Sequence, residues 1–583
     1  MLLQSIRPQA RHKEENVKKG KSTGAKALVK ALEKAGTEII FGYPGGANLP
    51  IYEALQRSDI RHVQARHEQG AAHMADGYAR ASGKTGVCLA TSGPGATNLV
   101  TGIATAYMDS SPIVALTGQV SRTMIGNDAF QEVDITGITM PITKHNYLIQ
   151  SAPQVAPTIE EAFFLAGSGR RGPIVVDIPK DVQTDEFANQ HEKRRVLEGY
   201  NPTTKGHPGQ IKRAAAELRE AERPVVITGG GVISSNAYAN IAEFVDTLHI
   251  PVVHTLMGKA AFDNRNPLNL GLFGYHGSRA ANTAVSKADL ILAIGTRFGD
   301  RSTGPLATFA REAKIIHIDV DPAEIGKNVQ AYLPIVGDIA DVLPRLTALL
   351  ADTAASHAPH REWAAFLGEQ KHNNNGHNRP AEAMSGQKLT TPNALAAAAA
   401  AFADARLVTD VGRHQIYAAQ YFPVAAGRNF ITSGGLGTMG FGLPAAIGAA
   451  LAEPSKPVVL VTGDGSFLMN IQELVTAAEA EINLTVLVMN DSRLGMIQQL
   501  QDGFYSSRFD VSRFARDIHF DRLAADLGCR GDRAETVAEI HQATLSAAQH
   551  TGVTVIDCKV GEEGHVYPMV TGRNLLELTE GEA

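Results

Sequence analysis

The sequence predicts an α/β protein made of three doubly wound parallel-sheet domains. Three observations carry this. The chain has 583 residues, enough for three or four domains at ~150 residues each. Three blocks repeat short apolar runs ending in Gly or Asp, alternating with helix-like stretches. Two polar segments, 187–209 and 354–388, separate the blocks. Continuous apolar strands alternating with helices mean parallel sheets covered on both faces. In such sheets, ligands sit at the carboxyl ends of the strands.

In the first block the runs are Glu38-Ile-Ile-Phe-Gly, Gly86-Val-Cys-Leu-Ala-Thr, Pro112-Ile-Val-Ala-Leu-Thr-Gly and Pro173-Ile-Val-Val-Asp-Ile-Pro. The second contains Pro224-Val-Val-Ile-Thr-Gly-Gly-Gly, Leu290-Ile-Leu-Ala-Ile-Gly and Lys314-Ile-Ile-His-Ile-Asp. The third contains Leu407-Val-Thr-Asp, Pro457-Val-Val-Leu-Val-Thr-Gly-Asp, Leu484-Thr-Val-Leu-Val-Met-Asn and Gly552-Val-Thr-Val-Ile-Asp. An Ala-rich helix is expected over 393–405, and a linker with incidental His372 and His377 over 354–388. The single Trp, Trp363, falls in or beside that linker.

Composition excludes several classes. Lys+Arg 54 against Asp+Glu 60 leaves −6, which gives no footing for nucleic acid. Three scattered cysteines, Cys88, Cys529 and Cys558, form no CxxC and no even framework, so neither a disulfide scaffold nor a thiolate metal site is expected. No run approaches the ~18 apolar residues of a membrane span. The N-terminus lacks an apolar signal core and reads as a disordered arm over 1–20. A soluble, cytoplasmic protein is expected. Its 56 glycines exceed the ordinary ~7% and point to tight turns and ligand-adjacent backbone.

The sharpest local signal is Val461-Thr-Gly-Asp-Gly-Ser466, with Asn490-Asp491 following 27 positions after Asp464 and Gly495 beyond. Adjacent parallel strands end side by side, so both carboxylates can reach one point. A hard divalent cation there would take oxygen ligands and leave room for phosphates. Gly463 and Gly465 admit a diphosphate to the backbone, and a helix over 468–480 is expected to aim its N-terminus at it. Taken alone, Gly-Asp-Gly also suits an Asp that merely caps a helix; the second carboxylate favours the cation.

These residues resemble the thiamine diphosphate signature, with Asp491 where most members carry Asn. The resemblance implies Mg²⁺ held by the side chains of Asp464 and Asp491 and the carbonyl of Arg493. It also assigns Ala65-Arg-His-Glu68: Glu68 would face the aminopyrimidine and promote its imino form, the base that activates the cofactor. Further motifs are Tyr43-Pro-Gly-Gly46, Ser92-Gly-Pro-Gly-Ala-Thr-Asn98, Asp128-Ala-Phe-Gln-Glu132, Asp177-Ile-Pro-Lys-Asp181 and Ser433-Gly-Gly-Leu-Gly-Thr-Met-Gly-Phe-Gly442. In that order they resemble the acetohydroxyacid synthase (acetolactate synthase) large catalytic subunit.

That resemblance implies an enzyme that decarboxylates pyruvate on thiamine diphosphate and joins the two-carbon unit to a second 2-oxoacid. Pyruvate gives 2-acetolactate, and 2-oxobutyrate gives 2-aceto-2-hydroxybutyrate, at the head of valine, leucine and isoleucine synthesis. It implies that Pro44, Glu68, Asn98, Val411, Gly412, Gln415, Gly437, Met439, Gly463, Asp464, Gly465, Ser466, Asp491, Leu494, Gly495 and Met496 surround the thiamine cofactor. Glu68, Gln131 and Lys180 would serve the reaction, and Phe130, Arg301, Met496 and Leu500 would meet substrate. Without the surrounding motifs, Phe130, Gln131 and Lys180 read as packing and surface charge, Met439 as core, and Arg301 as a salt-bridge partner.

In the middle block, Arg170, Gly229, Gly230, Gly231, Thr255, Leu256, Met257, Gly274, His276, Gly295, Arg297, Asp300, Ile318, Asp319 and Asp338 are implied FAD contacts. The expected domains are thus a pyrimidine-binding domain over 21–186, an FAD domain over 208–352 and a diphosphate/Mg²⁺ domain over 386–566, then a tail over 567–583. A homodimer or dimer of dimers, and a small regulatory subunit, are implied partners. The competing readings are a pyruvate oxidase-type flavin oxidoreductase and a non-enzymatic cofactor-binding module. Leu500 stands where many relatives place a Trp against the second substrate, which predicts weak preference for 2-oxobutyrate.

Overall fold

The structure, a computed structural model, describes residues 21–188, 197, 199–353, 358–374, 388–508, 510–561, 563, 565–570, 572 and 574–579. The arm expected over 1–20 and His377 lie outside the described residues. Among the described residues are three six-stranded, wholly parallel sheets, with two small two-stranded antiparallel sheets beside them.

The first sheet holds β1 (Ile39–Gly42), β2 (Arg61–Gln64), β3 (Gly86–Ala90), β4 (Ile113–Gln119), β5 (His145–Leu148) and β6 (Ile174–Pro179), in the order β2-β1-β3-β4-β6-β5. The second holds β7 (Pro224–Thr228), β8 (Val252–His254), β9 (Asn269–Leu272), β10 (Leu290–Ile294), β11 (Lys314–Asp319) and β12 (Leu333–Val336), in the order β9-β8-β7-β10-β11-β12. The third holds β13 (Arg406–Thr409), β14 (Phe430–Ile431), β15 (Val458–Gly463), β16 (Leu484–Asn490), β17 (Arg530–Ala534) and β18 (Val553–Lys559), in the order β14-β13-β15-β16-β18-β17. The first and third sheets share one strand order, and the middle sheet has the order of dinucleotide-binding folds.

The central strands are Val/Ile/Leu runs buried along their length, as strands covered on both faces must be. The first and third domains share one hydrophobic core. Met74, Tyr78 and Ile103 cluster in it with Phe441, Ile447 and Val486. Helix Glu68–Ser82 crosses helix Gly442–Ala452 with the backbones in contact. A Cβ on Gly77 would lie 2.1 Å from the Ala445 carbonyl oxygen, and one on Gly448 would lie 2.0 Å from that of Met74. Only glycine permits this approach.

Three local expectations are corrected. The single helix expected over 468–480 is two, Asp464–Leu468 and Glu473–Glu479. Between them the Asn470 side chain turns to donate to the Gly440 carbonyl, 2.7 Å away, which breaks the run. The Ala-rich helix is Thr391–Ala401; the Thr390 hydroxyl caps it and Pro392 sits in its first turn, so it starts and stops earlier than expected. The described part of the second linker is a helix, Ala358–Asn374, and Trp363 is buried in a core with Phe298, Val285 and Leu367. Among the described residues no helix is long and apolar enough to cross a membrane.

Candidate active site

In the third sheet, β13, β15 and β16 are consecutive neighbours, and each ends in a predicted site segment. Gly463 of β15 pairs with Met489 of β16, so Asp464 and Asp491 emerge from the same edge. Both are buried or nearly so. Burial, and then the charge of Asp491, push the Asp464 carboxyl up to about 7. Burial also raises Asp491, against the Arg413 guanidinium, which is bonded to it. The backbone N–H of Gly465 donates to Asp464 Oδ1 at 2.7 Å and that of Arg493 to Oδ2 at 3.2 Å. Two desolvated carboxylates that repel each other are the environment a hard cation relieves.

The surrounding turns leave no space for side chains. A Cβ on Gly463 would sit 2.9 Å from the His414 ring, and one on Gly465 would sit 2.6 Å from Leu494. Ser466 donates to the Val411 carbonyl at 2.9 Å, which ties the ends of β13 and β15 together. Gly437, with φ of +70°, faces Val411. Gln415 donates to Thr432 and to the Ser433 carbonyl. Met439 is half-buried within this loop, and Met496 and Leu500 lie half-buried on helix Gly495–Phe504.

In the first sheet, β2, β1, β3 and β4 are consecutive neighbours. Pro44 follows β1, Glu68 follows β2 and Asn98 follows β3. Glu68 opens its helix just after the cap, His67, whose ring accepts the Gln69 N–H. Asn98 Nδ2 donates to Glu68 Oε2 at 2.9 Å. A Cβ on Gly95 would meet Glu68 Oε1 at 3.2 Å, and one on Gly93 would meet the Gln131 backbone at 2.8 Å. The Ser92-Gly-Pro-Gly turn therefore brings Glu68, Asn98 and Gln131 into one neighbourhood. Lys180 is exposed at the end of β6, and Phe130 is 88% exposed.

In the middle sheet the strand order reverses between β7 and β10, where dinucleotides bind in such folds. Gly229 and Gly231 after β7 meet Gly295 after β10: Cβ atoms there would come within 2.1–2.6 Å of backbone. This glycine cradle at the reversal point fits a dinucleotide such as FAD. Thr255 caps the turn Leu256–Ala261. Met257 lies against both Gly230 and Gly434, joining this crevice to the Met439 loop. Gly274 packs on the Arg301 carbonyl. His276, lowered to about 4 by burial, meets the Pro568 carbonyl. Ile318 is buried; Asp319, at the end of the same strand, is raised to about 6 by burial. Arg297 is half-buried.

Other expected FAD contacts bond to protein groups. Arg170 pairs with Asp321 and Glu324, and Asp338 caps helix Ile339–Leu350. Asp300 and Arg301 face solvent, with side chains 90% and 76% exposed; Arg301 lies over the Tyr275 ring.

Four residues escaped the sequence reading. Buried Asp410 accepts from Val411, Gly440 and Gly442 and so shapes the Met439 loop. Arg413, two positions before Gln415, pairs with Asp491. Glu473, fully buried, accepts from the backbone of Arg66 and His67 beside Glu68. Asp109, held by Arg80, accepts from Gly435 at 2.7 Å. The first two lie at a recognisable strand end; the last two read as ordinary helix acids.

Three thiamine pyrophosphate enzyme domain models match in order: the N-terminal TPP binding domain over residues 22–138, the central domain over 211–346 and the C-terminal TPP binding domain over 410–558. The probable acetolactate synthase large subunit of Methanocaldococcus jannaschii is 47% identical over 556 residues, covering 94% of this chain and 93% of that protein. The acetolactate synthase of Mycobacterium bovis is 46% identical over 94% of this chain and 90% of its own length. That of Arthrospira platensis is 45% identical over 94% and 96%. The chain belongs to the acetolactate synthase large-subunit family of thiamine pyrophosphate enzymes.

The N-terminal TPP binding domain contains Glu68 and Asn98, and the C-terminal one contains Asp464 and Asp491. The two domains share a core, and Glu473 of one bonds the backbone of Arg66 and His67 of the other.

Proposed function

We propose that this chain is the catalytic subunit of an acetolactate synthase, which decarboxylates pyruvate and transfers the two-carbon unit to a second pyruvate or to 2-oxobutyrate. The observation that carries the proposal is the pair of half-sites on one core: a carboxyl oriented by Asn98, and a two-carboxylate cation site at the end of β15 and β16. Bound thiamine diphosphate supplies the electron sink that decarboxylation needs.

The chain's own residues do the rest. Asp464, Asp491 and the Arg493 carbonyl would hold Mg²⁺, and the Gly463 and Gly465 backbone would receive a diphosphate. Asn98 donates to Glu68 Oε2, and Oε1 would be the oxygen to exchange a proton with the aminopyrimidine. Gln131 and Lys180 would border the substrate. FAD would lie in the glycine cradle between β7 and β10. Phe130 beside Gln131, Leu436 in the Met439 loop and Ile497 beside Met496 are exposed. Apolar groups around a polar site support coverage by a second copy of the chain. A smaller regulatory subunit is the further partner we infer from the large-subunit names of the relatives.

Product analysis tests the function. Pyruvate, with and without 2-oxobutyrate, should give the two acetohydroxyacids only when thiamine diphosphate and Mg²⁺ are present. Glu68→Gln should cut turnover at least a hundredfold, the scale of a lost acid–base group, while cofactor binding stays. Oxygen uptake without acetohydroxyacid would overturn the proposal in favour of a flavin oxidase.

A further inference from the structure

Arg413 is the first residue of helix Arg413–Tyr421, directly after Gly412. Its guanidinium NH2 bonds Asp491 Oδ2, and its NH1 donates to the Glu563 carbonyl at 3.3 Å. Both partners of the ion pair are only 9% exposed. Space for Arg413 is built into the backbone opposite. A Cβ on Gly495 would sit 2.1 Å from Arg413 Nε and 2.5 Å from Cζ, so any side chain at 495 would expel the guanidinium. The bond from Arg413 is to Oδ2, and the Asp491 carboxylate lies close enough to Asp464 to raise it.

We infer that Arg413 is a resident counter-ion of the cation site: it holds Asp491 by one oxygen, leaves the other for the metal, and cancels the charge Asp491 adds. The inference rests on the proposed role of Asp464 and Asp491 as cation ligands. The charges at the site are Asp464, Asp491, Arg413 and Arg493. His414 is buried and neutral, pushed down to about 3 by burial, and Glu563 turns its carboxylate to Thr391. Arg493 spends its Nε on the Asp491 carbonyl and NH1 on Gln498. Arg413 is bonded directly to a ligand carboxylate. A buried ion pair is costly to break from one side and cheap to replace as a whole.

Two measurements on the full-length protein, neither requiring turnover, test this. The first is Mn²⁺ affinity in the presence of thiamine diphosphate, read from the EPR signal of free Mn²⁺. Arg413→Gln should tighten Mn²⁺ binding about fivefold or more, because the guanidinium no longer competes with the metal for Asp491. Arg413→Lys, which keeps the charge, should stay within about threefold of wild type. Asp491→Ala, which removes the ligand oxygens, should weaken binding at least about tenfold.

The second is the melting temperature without metal or cofactor. Arg413→Gln and Asp491→Asn should each lower it, and the double variant should melt above the worse single variant. Unchanged or weaker Mn²⁺ binding in Arg413→Gln, a matching gain in Arg413→Lys, or additive melting shifts would overturn the counter-ion role. Equal Mn²⁺ binding by wild type and Asp491→Ala would instead overturn the ligand role of Asp491, and the inference with it.

Discussion

The Glu473 carboxylate accepts the backbone N–H of His67 at 3.0 Å across 406 positions of sequence, and that of Arg66 beside it. Thr476 donates to its other oxygen at 2.7 Å. A side chain of the third domain thus fixes the turn from which Glu68 projects. A second tie lies at the far end of the same helix, where Arg80 bonds Asp109 and the Thr432 carbonyl.

Replacing Glu473 with Gln leaves one acceptor and turns an amide N–H₂ toward backbone donors. An unsatisfied buried group costs about 1–3 kcal/mol. Because the error falls next to Glu68, the chemical step should suffer more than binding. Glu473→Gln should lower kcat more than about tenfold, with KM for pyruvate within about threefold, since small misplacements at a reacting group are amplified in rate. Steady-state kinetics beside a melting curve decide it; an unchanged kcat would refute the positioning role.

The Gly448 contact predicts a second outcome. Gly448→Ala places a methyl 2.0 Å from the Met74 carbonyl oxygen and 2.8 Å from the Tyr78 nitrogen. Backbone cannot yield as a flexible side chain does, so the variant should lose at least about 3 kcal/mol or fail to fold. Gly503→Ala is the control. It lies in helix Gly495–Phe504 with nothing within 4 Å of a Cβ, and should be neutral or gain up to about 1 kcal/mol. Denaturant melts of the two variants should move in opposite senses.

The long buried strands were legible because their Val/Ile/Leu runs exclude any one-sided surface. The Gly-Asp-Gly and Asn-Asp ends were legible because adjacent strands bring them together. Short strands were not: β2 reads Arg-His-Val-Gln and is mostly exposed at a sheet edge, so no apolar run marks it. Trp363 was misplaced because a polar helix anchored by a few large side chains has a weak apolar stripe. Glu473 and Asp109 were invisible for a different reason. Each acts through a partner distant in sequence, and nothing local separates such an acid from a solvated one.

Buried Lys259 predicts a pH effect on stability. Its ammonium donates to the Ala419 carbonyl at 2.8 Å, and burial pushes its pKa down to about 7. Native protein therefore binds this proton less tightly than unfolded chain does, where Lys titrates near 10.4. The unfolded state holds the extra proton between these values, so this group makes stability rise with pH from about 7 to about 10. Each unit of displacement is about 1.4 kcal/mol. Lys259→Met should flatten that slope and be relatively most favourable at and below pH 7. Melting temperatures of wild type and variant across pH 6–10 measure the difference, and parallel curves would show that Lys259 stays charged.

Leu500 sets the last expectation. It lies half-buried on helix Gly495–Phe504, close after the cation-site turn. The chain's single Trp, Trp363, is in the core of the middle domain, stacked on Phe366. No Trp is available as an aromatic wall for the extra methyl group of 2-oxobutyrate. A methylene in a fitted pocket is worth about 1–3 kcal/mol, and leucine offers a smaller, less rigid surface to it. With pyruvate and 2-oxobutyrate at equal concentration, the two acetohydroxyacids should form within about tenfold of each other. Leu500→Trp should raise the share made from 2-oxobutyrate by about tenfold or more, without changing cofactor affinity. A strong preference for 2-oxobutyrate in the unaltered protein would place the specificity wall on another residue.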